Sequence, residues 1–315
     1  MDSFEFETGR VLKNVEVEYE TFGTPKYDDE GYIINLIVSF STFKDQYSFL
    51  RNSHNYIKEN GGFTDEFYFV VITSLGSPNS CSPSTTGLNH NFPIYTVKDI
   101  VNFKRQFLKE KYKIKQILGL VGEGLSGYEI FTWACEYPDE MEFIFTINSS
   151  FKNTGYRYLL AKCFENIIEI TDEIYTDTYS SSLSRTLIAL NSLILAQTAS
   201  KKTFNNMDKR EIDVLLDDFI EEGLLSDIYD LKFKNDCILE FDVEDKLSNV
   251  KAKSLIIGNN SNYFDYEHDA MPLKELIKNS VVLTYNFEPE NYYFEDSYYE
   301  KYGKEVIEFI TQFKR

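Results

Sequence analysis

Residues 116–137, QILGLVGEGLSGYEIFTWACEY, constrain the fold of this chain more than any other stretch. Residues 117–121 are continuously apolar, as a strand covered on both faces requires. Gly122, Gly124 and Gly127 then permit a tight reversal, and the residues that follow carry the 3.6-residue period of a packed helix. A buried strand, a glycine turn and a helix make the shape of a nucleophile elbow, in which a side chain is held at the top of a parallel sheet. The residue in that place is Gly124, which has no nucleophile. A phosphate-binding loop is the other reading of a glycine turn, but the stretch has neither GxGxxG nor GxxxxGK[ST].

The runs on either side extend the pattern. Residues 33–40 (IINLIVSF), 67–72 (FYFVVI), 143–147 (FIFTI), 252–258 (AKSLIIG) and 281–285 (VVLTY) read as core strands, and 11–20 (VLKNVEVEYE) alternates like a half-buried antiparallel strand. Helices are expected over 49–60, 96–111, 271–279 and 300–313. The second of these is capped by Thr96 with Asp99 three residues on. Strands alternating with helices imply parallel pairing through crossover connections. Loops 39–43 and 73–86 fall at the C-terminal ends of strands, where open sheets place ligands. The second loop, TSLGSPNSCSPSTT, is read as either a functional surface loop or padding.

From 148 to 249 the alternation gives way to long amphipathic segments at 156–170, 183–198 and 210–223. The expected organisation is therefore a mostly parallel α/β core from 1–148 and 251–315, with a helical cap inserted at 149–250. With 315 residues, 43% of them hydrophobic, the chain can bury a large core. Its 51 acidic against 32 basic residues give a formal charge of −19, which repels nucleic acid and anionic lipid. Cys81, Cys135, Cys163 and Cys237 are scattered without a CxxC pair and read as reduced thiols. The acidic start lacks the character of a signal peptide, and no apolar run approaches the ~20 residues that span a bilayer. A cytoplasmic protein with no membrane partner is expected. His54, His90 and His268 are isolated, so neither a metal nor a cofactor is expected.

Several phrases together resemble the homoserine O-acetyltransferase branch of the α/β-hydrolase superfamily: 19–24 (YETFGT), 65–76 (DEFYFVVITSLG), 80–85 (SCSPST), 92–99 (FPIYTVKD), 121–138 (VGEGLSGYEIFTWACEYP) and 257–264 (IGNNSNYF). The resemblance implies the α/β-hydrolase fold. In active members it implies a serine that takes an acyl group from a thioester, a histidine as its base and an aspartate as orienter. The serine position is held here by Gly124 and the aspartate position by Asn262, and the last loop, 287–299, contains no histidine. Three losses at once imply a pseudoenzyme that binds a small ligand or a protein partner. Backbone amides near Ser41 and Leu125 would be the remnant of the oxyanion hole. An enzyme working through Ser126, Cys81 or His268 is the alternative. Of these, Ser126 is expected to hydrogen-bond to the helix start, and His268 precedes the last strand and so lies one element too early to match the family histidine. Glu123, beside the elbow, would repel an oxyanion. Apolar stripes on the cap, and association through caps among active relatives, lead to the expectation of a homodimer.

Overall fold

The apolar runs all become neighbouring strands of one sheet. The computed structural model describes residues 1–40, 66–78, 80–175, 181–198, 201–259, 266–286 and 296–315. The strands are β3 (Tyr19–Phe22), β4 (Leu36–Phe40), β5 (Tyr68–Ile72), β6 (Ile117–Glu123), β7 (Met141–Ile147), β8 (Lys253–Asn259) and β9 (Ser280–Tyr285). They lie in the order β3-β5-β4-β6-β7-β8-β9. Only β3 runs antiparallel to its neighbour. Since β5 lies on one side of β4 and β6 on the other, the chain reverses its winding at β4. Open α/β sheets place their ligands beyond the strand ends at such a point.

The two faces of the sheet are covered by different elements, which is why the strands are apolar at successive positions rather than alternate ones. Val38, Val70, Leu120, Ile144 and Ile256 pack with α1 (Val97–Tyr112) and α2 (Ser126–Glu136), whose Trp133 is fully buried. Ile37, Val71, Val121, Phe145 and Ile257 pack on the other face with Phe309, Ile310 and Phe313, at the end of α10 (Asp296–Ile310) and the short turn after it. Helix α1 begins at the expected capping box, with Thr96 accepting from the Asp99 amide.

Between β7 and β8 the described elements are helical: α3 (Gly155–Glu169), α4 (Ser181–Thr198), α5 (Lys201–Asn205), α6 (Lys209–Gly223) and α7 (Ile228–Leu239), with short turns. Three of these match the amphipathic segments read from the sequence. Helix α7 is an addition, and it packs on the core: its Phe233 stacks on Tyr95, with ring centroids 6.4 Å apart.

Several local expectations need correction. The run 11–20 is not one strand, because Asn14 takes φ 54° and breaks it. Its first part, β2 (Val11–Lys13), pairs with β1 (Ser3–Glu5), and its end enters β3. The helix expected over 271–279 is only the short α9 (Leu273–Leu276), and another short helix, α8 (Tyr266–Ala270), precedes it. Loop 73–86 is neither surface nor padding over much of its length: Ser74, Ser77, Ser80, Cys81 and Ser82 are buried. A buried loop must satisfy its backbone, and short hydroxyl side chains do so locally. The Ser82 amide donates to Thr85 Oγ1 at 2.9 Å, and the Gly76 amide donates to the Cys81 carbonyl at 2.8 Å. The helix expected over 49–60 lies outside the described residues.

Candidate functional site

At the end of β6 the chain turns through Gly124 into α2. Gly124 has φ +58°, in the left-handed region that a glycine enters without strain. Its amide donates to the Ile147 carbonyl at 2.9 Å, tying the turn to the end of β7. Its own carbonyl accepts from the Gly127 amide at 3.1 Å. A Cβ placed on Gly124 would meet no atom of the described residues within 4 Å. Gly127 is the opposite case. A Cβ there would overlap the side chain of Ser149, so glycine is what lets the first turn of α2 lie against the segment after β7.

Helix α2 starts without a side-chain cap, and its flanking residue Leu125 is 37% exposed at the mouth of the turn. Ser126 is buried, and its Oγ has no hydrogen-bond partner among the described residues. The expected bond from Ser126 to the helix start is therefore not made.

At the end of the first turn of α2, Glu129 meets a lysine that the core encloses completely. Lys104 Nζ lies 2.6 Å from Glu129 Oε2, and the Lys104 side chain has no exposed surface. Ser74 closes the triangle. Its hydroxyl donates to Glu129 Oε1 at 2.7 Å and accepts from Lys104 Nζ at 2.8 Å. Burial pushes the Lys104 ammonium below its ordinary range, and Glu129 acts against that shift.

A second lysine joins this group from α7. Asp230, Phe233, Lys234 and Cys237 follow the i, i+3, i+4, i+7 spacing of one helix face. Three of them are fixed against the core. Asp230 accepts from Ser84 Oγ at 2.6 Å, from the Ser84 amide at 2.9 Å and from Ser82 Oγ at 3.1 Å. Phe233 stacks on Tyr95, and Cys237 packs at the edge of the cluster containing Phe103, the neighbour of Lys104. Lys234 is half-buried on that same face. Burial lowers its amine to about 7, with Glu129 opposing the shift and Lys104 adding to it.

Among curated relatives, a protein described as a probable acyltransferase from Methanothermobacter thermautotrophicus is 34% identical over 289 residues, covering 91% of this chain and 89% of that one. The chain belongs to that acyltransferase family, a branch of the α/β-hydrolases related to homoserine O-acetyltransferases. The homoserine O-acetyltransferase of Methanosarcina acetivorans is 27% identical over 151 residues, 44% of this chain and 28% of that enzyme. No family model matches the chain. An acetylester hydrolase from Corynebacterium glutamicum superposes with a TM-score of 0.77 at 18% identity, covering 99% of this chain and 93% of that one, which shows the fold.

Of the residues picked out from the sequence for this acyltransferase-branch chain, Gly124, Leu125 and Ser126 follow one another at the elbow. Ser41, Asn262, His54 and residues 287–295 lie outside the described residues. Cys81 is buried, and its burial pushes the thiol up, away from the thiolate that would react. His268 is exposed on α8, after β8 and before β9. No cluster of three or more His, Cys, Asp or Glu side chains with metal-binding spacing occurs among the described residues, and no described helix is long and apolar enough to cross a membrane. The triangle of Ser74, Lys104 and Glu129, and Lys234 beside it, were not foreseen. The available signal was Lys104, which stands on the apolar stripe of α1 formed by Val97, Ile100, Val101 and Leu108.

Proposed function

We propose that this chain is a non-catalytic member of its acyltransferase branch. In this reading it binds a small ligand, or a protein partner, in the crevice above the C-terminal ends of β4 and β6, with residues 149–250 serving as a cap. The supporting observation is Gly124 at the elbow, which offers no side chain where a nucleophile's would begin. Asn262 in the aspartate position and the lack of histidine in 287–299 support the same reading from the sequence. An amide can orient an imidazole but brings no charge to stabilise an imidazolium. The loop after β4 and the amide of Leu125 are the parts of the oxyanion hole that need no particular side chain. A cytoplasmic location and the absence of a resident cofactor belong to the same proposal.

The test is chemical. Native protein treated with a serine-directed fluorophosphonate is expected to form no adduct, and to move no acetyl group from acetyl-CoA to homoserine above the uncatalysed rate. Gly124→Ser alone should change neither result, because a hydroxyl without a base loses the ~100 to 10,000-fold that proton transfer contributes. Turnover by the native chain that survives changes at Gly124 and stops with Ser126→Ala, Cys81→Ala or His268→Ala would establish the alternative site and end the non-catalytic reading.

The inserted segment carries exposed apolar side chains, including Leu159 and Val214 on its helices and Leu225 in the turn after α6, the last 87% exposed. A homodimer that covers them is part of the proposed function. Sedimentation equilibrium across a wide concentration range is expected to give twice the 36.8 kDa chain mass, and a mass that stays at the monomer value rules this out.

A further inference from the structure

At the end of the sheet opposite Gly124, the N-terminal ends of β6, β7 and β8 border a cleft of about 440 Å³. That volume falls within the ~300–1,000 Å³ of small-molecule sites. Met141, Ala252 and Phe313 line it and are themselves buried, and Gln116 and Gln312 add two amide side chains. The charged side chains on the lining are Asp139, Glu142, Lys251 and Lys253. Three of the four have partners: Lys251 Nζ lies 2.8 Å from Asp139 Oδ1, and Glu142 is bound by Arg315. Lys253 is left with no carboxylate in ion-pair contact among the described residues. Its position makes that charge conspicuous. Lys253 shares a face of β8 with Leu255 and Ile257, which are buried against the end of α10, and it is the register partner of Phe143 on β7. A lysine at the edge of such a face lays its stem on the apolar surface and carries its head outward. The ammonium comes to rest 5.5 Å from the centroid of the Phe313 ring, which packs on Phe143 at 4.6 Å. The ring attracts the cation without neutralising it.

We propose that this cleft is a second ligand site, separate from the elbow, and that it takes a small organic anion with a carboxylate or phosphate head on Lys253 and a polar body beside Gln116 and Gln312. The charges select the head. Lys251, Lys253 and Arg315 stand against Asp139 and Glu142, three cations against two carboxylates, so the cleft is positive by one charge. The chain as a whole carries −19, but salt screens exposed charges beyond ~8 Å, and the neighbouring groups decide what binds. A cationic ligand would meet Lys253 with like charge. The amides select the body. Gln312 Nε2 donates one hydrogen to the Glu308 carbonyl at 3.0 Å, which fixes the side chain and leaves its other hydrogen and its oxygen to meet hydroxyl or carbonyl groups. A wholly apolar ligand would cover these amides and the ammonium without replacing their water, at a cost in free energy.

The experiment uses the native full chain with its methionine methyl groups labelled with carbon-13. The methionines are Met1, Met141, Met207 and Met271, and of these Met141 lines the cleft. Its resonance is identified as the one lost in Met141→Leu, a swap that cores tolerate well. Glycerol 3-phosphate, glycerate and glycerol are the probes, because they share a small hydroxylated body and differ in the head. Titration with an anionic probe is expected to move the Met141 signal along a saturating curve while Met1 and Met207 stay still, and glycerol should leave all of them unmoved. Saturation by glycerol 3-phosphate alone assigns a phosphate head, by glycerate alone a carboxylate head, and by both a site for either anion. Lys253→Gln should raise the dissociation constant about ten-fold or more, as loss of a hydrogen bond to a charged group does. The comparison of probes on the native chain stands whether or not that variant folds. A Met141 signal that moves with neither anion, that responds equally to glycerol, or that saturates with unchanged affinity in folded Lys253→Gln overturns the site.

Discussion

Lys104→Met is expected to destabilise the folded chain by about 3–5 kcal/mol, the cost of leaving one member of a buried ion pair behind. The Lys104 side chain is fully enclosed and its partner Glu129 is 10% exposed, so the carboxylate left behind would keep only Ser74 as a donor from the triangle. An exposed pair at the same distance would be worth about 1 kcal/mol or less, and the size of the effect therefore reports burial rather than the presence of a contact. Urea unfolding with an unchanged slope and a lower midpoint is the measurement. Lys104→Met combined with Glu129→Met should recover most of the loss, since apolar groups of similar volume need neither partner nor water. A single-variant loss below about 1 kcal/mol would show that water reaches the pair.

The same triangle separates what the sequence displays from what it hides. The elbow was legible because each of its parts has a local cause: five apolar residues for a two-sided strand, Gly124 for a positive φ, and a helical period after it. The capping box at Thr96 and Asp99 was legible for the same reason, its partners being three residues apart. Lys104 and Glu129 are 25 residues apart on different helices, and the place of Lys104 on the apolar stripe of α1 marks a buried charge without naming its partner. Their pairing is decided by how α1 and α2 lie on the sheet, which no local pattern carries. Helix α7 was missed on similar grounds. The face it turns to the core contains Asp230 and Lys234 as well as Phe233 and Cys237, so hydrophobic periodicity is blurred by polar residues, of which Asp230 meets Ser82 and Ser84 only in the folded chain. Loop 73–86 misled because Ser, Pro and Gly usually mark exposed turns, whereas here the hydroxyls let the backbone be buried. Asn14 shows the limit of alternation: the period continues through it while the backbone breaks.

Gly127→Ala tests whether the elbow's position depends on one close approach. The added Cβ would overlap the Ser149 side chain and come within 2.5 Å of its Oγ. Ser149 has little room to yield, because it is buried and its hydroxyl donates to the Ile147 carbonyl at 3.0 Å. That same carbonyl accepts the Gly124 amide, so pushing Ser149 aside disturbs the bond that holds the turn to β7. Overpacking of this kind typically costs about 1–3 kcal/mol. It is distinct from loss of helix propensity, since alanine is the better helix former and would by itself stabilise α2 by up to about 1 kcal/mol. Ser149→Gly should therefore be mildly destabilising in the native background and restorative in the Gly127→Ala background. A double-mutant cycle read by urea unfolding is expected to give a coupling of about 1 kcal/mol or more between the two positions. Additive effects would mean that α2 shifts freely at its first turn, and the elbow would then be held by the Gly124–Ile147 bond without the Gly127–Ser149 contact.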